Sequence, residues 1–238
     1  REFNEECVFV MLGAVVKIVP AIWRIVSEMG TRLLFIRMDR LNIHESQTDI
    51  LIKQINNSKN YRDNEQQLKE MTDDLIKDKI ERYGIRQGEW NKEHDEFVTR
   101  MISLISELIS KLRVTEDNDI GLEQNETPYR VLSQLINLMQ GRAILYDRDY
   151  IVEDDLSLAL AVALSSVDVV RGQITRVAIG HYPEYLKLKD FVYQTNFMQT
   201  KLRQELSILT QIGILETGRD GNADKWKLHE YWEDLVLI

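Results

Sequence analysis

The chain has 238 residues, of which 44% are hydrophobic and 29% charged, with a formal net charge of −9. Such proportions exclude a wholly disordered chain, and the length predicts one large domain or two small ones. No apolar run reaches the ~18 residues a membrane span needs; the longest candidate, Val8–Val26, is cut by Lys17, Pro20 and Arg24.

The single cysteine, Cys7, rules out an internal disulfide and a CxxC metal site, which predicts a reducing, cytoplasmic setting. The chain opens at Arg1 without a methionine, as expected of a fragment. Its charge is uneven: +1 over residues 1–41, −7 over 42–127, −3 over 128–169 and 0 over 170–238. An acidic middle argues against a protein that coats nucleic acid along its whole length, because phosphate binding needs clustered Lys and Arg. A neutral C-terminal part can still carry a local basic face.

In chain order, CVFVMLGAVV (7–16) is a short, β-branched apolar run that predicts a buried strand. A short helix opens at Pro20 and closes at Gly30, and RLLFIRM (32–38) predicts a second strand. Strand, short helix and strand look like the edge of an α/β sheet, and since two strands cannot bury their own faces, either other segments of the chain complete the sheet or the sequence starts inside a domain. Residues 44–83 carry apolar positions at spacings of three and four, with a break expected at Asn56, Asn57 and Ser58. Residues 89–113 predict an amphipathic helix with Phe97, Met101, Leu104, Ile105, Leu108 and Leu112 on one stripe. DNDIGLEQNE (117–126) reads as a loop.

Pro128 suits the first position of a helix running to about Leu145. Glu153, Asp154 and Asp155 then crowd the first turn of another helix, where the dipole favours anions. Helices are expected at 173–181, 186–196 and 197–215. A closing hairpin follows, ILETG and KWKLH around RDGNAD, in a loop longer than the two-residue ideal.

Self-sufficient catalysis has no visible motif. There is no GxxxxGK[ST] or GxGxxG, and His44, His94, His181 and His229 share no metal-ligand spacing. DRDYIVEDD is no calcium loop, since Val152 and Leu158 occupy the sixth and twelfth positions counted from Asp147.

The segment ETPYRVLSQLINLMQGRAILYDRDYIVEDDLSLALAVALSSV (126–168) resembles the helical lid of AAA+ ATPases, in particular minichromosome-maintenance-type helicases and AAA+ proteins of phages and integrative elements. The resemblance implies that Arg130 is a sensor II arginine that binds the nucleotide γ-phosphate. The run from CVFVMLGAVV to RLLFIRM is similar to the last strands of such a core, which places Arg32 as an arginine finger acting on a neighbouring subunit. It also puts the sensor I position at Val15 or Val16, whose side chains cannot hydrogen-bond a phosphate or a water. That departure argues against turnover. ATPase activity, with ATP and Mg²⁺ as cofactors, would need a phosphate-binding loop upstream of Arg1.

Residues 170–238 look like a winged helix, in which the second helix of the pair enters the major groove. On FMQTKLRQELSILTQ, Leu202, Leu206 and Leu209 are expected in the core, while Thr200, Lys201, Arg203 and Gln204 face outward with types suited to DNA. Arg219, Lys225 and Lys227 lie in or beside the wing.

The expected fold is therefore mainly α: the end of an α/β AAA+ core (1–41), a helical region (42–113), a lid (114–169) and a winged helix with a small β-hairpin (170–238). The expected function is the C-terminal portion of an AAA+ ATPase acting on DNA, as a homo-oligomer without a membrane partner. The alternative is a non-catalytic DNA-binding regulator or a protein-docking assembly factor.

Overall fold

A computed structural model describes residues 34, 52, 61–83, 95–117, 121–123, 127–221 and 223–238. The expected strand at 7–16, with Val15 and Val16, lies outside the described residues, as do Arg32, His44 and His94. Of the strand expected at 32–38 only Leu34 is described, without regular structure.

The described part is mainly helical. Helix α1 is Tyr61–Tyr83 and α2 is Asp95–Leu112. On α2, Val98, Met101, Ile102, Ile105, Leu108, Ile109 and Leu112 are all fully or almost fully buried. Spacings of three and four put them on one stripe, and each such side chain contributes roughly 1.5–3 kcal/mol by leaving water.

After α2 the sequence predicts a loop, yet β1 (Thr115–Asp117) and β2 (Gly121–Glu123) pair antiparallel there. Three-residue strands are too short to show a period-2 pattern. Helix α3 (Pro128–Leu145) has Pro at its N-terminus and buries Val131, Leu135, Met139 and Ala143, one per turn. Helix α4 (Glu153–Ser165) buries Leu156, Ala159, Leu160, Ala163 and Leu164. Helices α2, α3 and α4 pack against one another. Thus α2, grouped by sequence with the region before residue 114, shares a core with the helices after it.

Asp168 caps α5 (Val169–Gly180) by accepting the amides of Val170 and Arg171. Next come β3 (Leu186–Lys187), α6 (Leu188–Thr195), α7 (Gln199–Gln211), β4 (Leu215–Asp220) and β5 (Ala223–Leu228). The three strands form an antiparallel sheet in the order β3-β5-β4. Pairing of β4 with β5 extends to Asp220↔Ala223. The connection is therefore two residues long, beginning at Gly221 with φ +61°, and shorter than the loop expected from sequence.

A 3₁₀ helix, Glu230–Leu237, which the sequence reading did not include, ends the chain. Its Trp232 is fully buried and donates its indole N–H to the Gly213 carbonyl at 2.8 Å. The Lys111 ammonium lies 5.6 Å from that ring, Tyr231 donates to Glu107 at 2.6 Å, and Arg100 pairs with Asp234. The chain end is thereby clamped onto α2. One hydrophobic core runs without interruption from Val98 on α2 to Leu235.

Candidate nucleic-acid interface

The site begins with the helical period of α7. Leu202, Leu206 and Leu209 are fully buried, so Thr200, Arg203, Gln204 and Ser207 face solvent. Across from this edge stands the β4–β5 hairpin. Between them lies an open groove of about 600 Å³, lined by Arg203 and Ser207 on one wall and Thr217, Arg219, Asp224 and Trp226 on the other. Neither Arg203 nor Arg219 makes an ion pair within the described residues. Asp224 faces Arg219 in the strand register without forming one.

The wing cations do not act together. Side chains alternate across a strand, so Arg219 lines the groove while Lys225 and Lys227 lie over the Tyr185 ring, 4.6 and 5.1 Å from its centroid. Lys227 also pairs with Glu216 at 3.0 Å, and Glu216 accepts the Tyr185 hydroxyl at 2.7 Å. The Tyr185 hydrogen bond, and then Lys227, hold the Glu216 carboxyl below its usual value. Gly218 permits this arrangement: a Cβ there would lie 2.9 Å from the Tyr185 ring.

Lys201 does not simply face outward. Its side chain is half-exposed, and its ammonium sits 2.5 Å from Glu205 Oε1, one turn further along α7. The other oxygen of Glu205 accepts Arg171 Nε at 2.7 Å, with both of those side chains at least nine-tenths buried. Arg171 Nη1 donates in addition to the carbonyls of Leu112 and Val114. One guanidinium thus caps the C-terminal end of α2 and neutralises a carboxylate on α7. Burial pushes the Glu205 carboxyl up, but the hydrogen bonds from Arg171 and Lys201 outweigh it and hold it below the ordinary glutamate value.

Arg130 stands apart, exposed in the first turn of α3 with no ion pair to a described residue. A cation there opposes the helix dipole, so it earns no stability in place. A lone guanidinium fits one phosphate contact and no Mg²⁺ ion. Among the described residues no three His, Cys, Asp or Glu side chains form a metal-sized group.

The corner between α3 and α4 holds a cluster the sequence reading missed. Asp155 is fully buried and pairs with Arg142 and Arg148, each at 2.9 Å, while its Oδ2 accepts the Val152 amide at 2.9 Å. Asp147, with φ +55°, accepts Lys79 from α1 at 2.6 Å. The i,i+4 spacing of Lys201 and Glu205 was a legible signal. For Arg171–Glu205, 34 residues apart, sequence holds no such clue.

Among the described residues no helix is long and apolar enough to cross a membrane. No protein-family model, no curated protein and no solved structure matches the chain.

Proposed function

We propose that the chain is the DNA-binding end of an AAA+-type ATPase: a helical lid carrying Arg130, joined to a winged helix that lays α7 and its hairpin against duplex DNA. The observation that carries the reading is the groove between α7 and the hairpin, with Arg203 and Arg219 on opposite walls and neither spent on a described carboxylate. Support for a winged helix comes from the order helix, strand, two helices and hairpin, and from the β3-β5-β4 sheet. Thr200, Gln204 and Ser207 add neutral donors and acceptors on the same edge, suited to phosphate and base edges.

In this reading Arg130 contributes charge to a γ-phosphate. ATP and Mg²⁺ are held mainly outside the described residues, and neighbouring subunits meet through Arg32. The setting is cytoplasmic, on DNA of a microbe or a mobile element. Arg130→Ala in the intact protein then lowers nucleotide-dependent activity while stability changes by less than ~0.5 kcal/mol, as urea unfolding will read.

A second reading, a regulator or assembly factor that docks protein, draws on the pairing of Lys187, Lys201 and Lys227 with Asp220, Glu205 and Glu216. Fluorescence anisotropy of a labelled duplex separates the two. The DNA reading predicts binding at low salt that weakens with Arg203→Ala and Arg219→Ala; a protein-docking face gives no salt-sensitive binding at all.

A further inference from the structure

We propose that Glu205 holds the Lys201 ammonium at the margin of the core, away from the groove, so that Lys201 makes no phosphate contact and Arg203 and Arg219 carry the charge contacts of this face. The inference rests on the DNA reading of the α7 edge and sharpens it, because it sets how many cations the duplex meets.

Arg171 sets the charge state of this cluster. Its side chain is 10% exposed, and a guanidinium does not give up its proton in a protein. Glu205 must therefore stay ionised. Arg171 occupies only Oε2 of that carboxylate, through Nε, and spends Nη1 on the carbonyls of Leu112 and Val114. Oε1 is left at the margin of the core, and the Glu205 side chain is only 4% exposed, so water cannot solvate that oxygen freely. Lys201, one helical turn earlier, completes it at 2.5 Å.

Lys201 does not line the groove between α7 and the hairpin, being about 200° round the helix from Arg203, and a phosphate that drew it there would leave a buried carboxylate oxygen without a partner. Arg203 and Arg219 offer a phosphate the same charge with no such loss. Glu205 is thus a positioning residue: it touches no ligand, ties α7 to the end of α2 through Arg171, and removes one cation from the exposed edge.

The test uses the full chain and a double-stranded DNA probe, with two readouts. The first is the slope of log affinity against log salt, to which each phosphate contact contributes about −0.9. Arg203→Ala is expected to lower its magnitude by about 0.9, Lys201→Ala to leave it unchanged, and Glu205→Gln to raise it by about 0.9 as Lys201 is released. The second is NMR of the side-chain N–H groups, with Lys201→Ala identifying its ammonium signal. That signal is expected to be visible through slowed proton exchange, to vanish in Glu205→Gln, and to stay put when duplex moves the Arg203 and Arg219 signals.

A fall in slope with Lys201→Ala equal to that with Arg203→Ala, or a shift of the Lys201 ammonium on adding duplex, overturns the proposal. Should Glu205→Gln fail to fold, Lys201→Ala keeps the Arg171–Glu205 pair and carries the test. If duplex moves none of these signals, the DNA reading fails; a slowly exchanging Lys201 ammonium then still upholds its capture by Glu205, and a freely exchanging one overturns it.

Discussion

Asp155 illustrates how one carboxylate can hold a corner. It is fully buried, it satisfies two arginines and a backbone amide, and both arginines lie 5.3–5.8 Å from the Tyr146 ring. Burial pushes its carboxyl up, yet the Arg148 and Val152 hydrogen bonds outweigh that and leave it below the ordinary aspartate value. A depressed folded value means the pairing stabilises the protein above about pH 4 and is lost as pH falls through the folded value. Asp155→Asn is expected to cost about 3 kcal/mol at neutral pH, because two guanidiniums lose their counter-charge. Urea unfolding should also show a flatter acid limb in the variant. An unchanged acid limb would mean that this carboxylate does not carry the linkage. From sequence, Asp155 was one of three acids at a helix start; nothing in the spacing of Glu153, Asp154 and Asp155 says that only the third is buried.

At the scale of elements, a close approach joins α4 to α5. A Cβ on Gly172 would lie 2.3 Å from the Leu164 carbonyl oxygen, a backbone atom that cannot swing aside. Gly172→Ala should therefore cost ~1–3 kcal/mol, although alanine is the better helix former at an ordinary site. Thermal melting reads this directly, and a stabilised variant would contradict the packing. Long elements were the legible ones. The spacing of Leu202, Leu206 and Leu209 gives the buried face of α7, and Pro128 gives the start of α3. The two-residue β3, the β1–β2 pair and the C-terminal 3₁₀ helix lack enough residues for a period to emerge. Candidate cations were harder still. Helical spacing puts Lys201 and Arg203 about 200° apart, on opposite borders of the exposed face of α7, but it does not say which border meets the hairpin; the groove takes Arg203, and Lys201 turns to Glu205. Strand alternation could have parted Arg219 from Lys225 and Lys227, had the short turn at Gly221 fixed the register in advance.

At the scale of the whole molecule, the three-helix bundle and the C-terminal module share one core, and Arg171 and Trp232 join them. Near-ultraviolet circular dichroism, which follows the four tryptophans, the buried Trp226 and Trp232 among them, should give the same urea midpoint as the far-ultraviolet helix signal. Two separated transitions would show the modules to be independent. A shared core also means that α7 and the hairpin are packed on the same base, so that under the proposed DNA reading Arg203 and Arg219 would meet a duplex together. The most direct measurement is duplex affinity across a salt series for the full chain and for Arg203→Ala/Arg219→Ala. Neither arginine has an ion pair to lose among the described residues, so the double variant should keep its fold. The wild-type chain is predicted to bind at low salt, and the double variant to lose about 1.8 from the magnitude of the slope of log affinity against log salt, with most of its affinity. No binding by the wild-type chain at low salt, or identical slopes for the two proteins, would contradict the account.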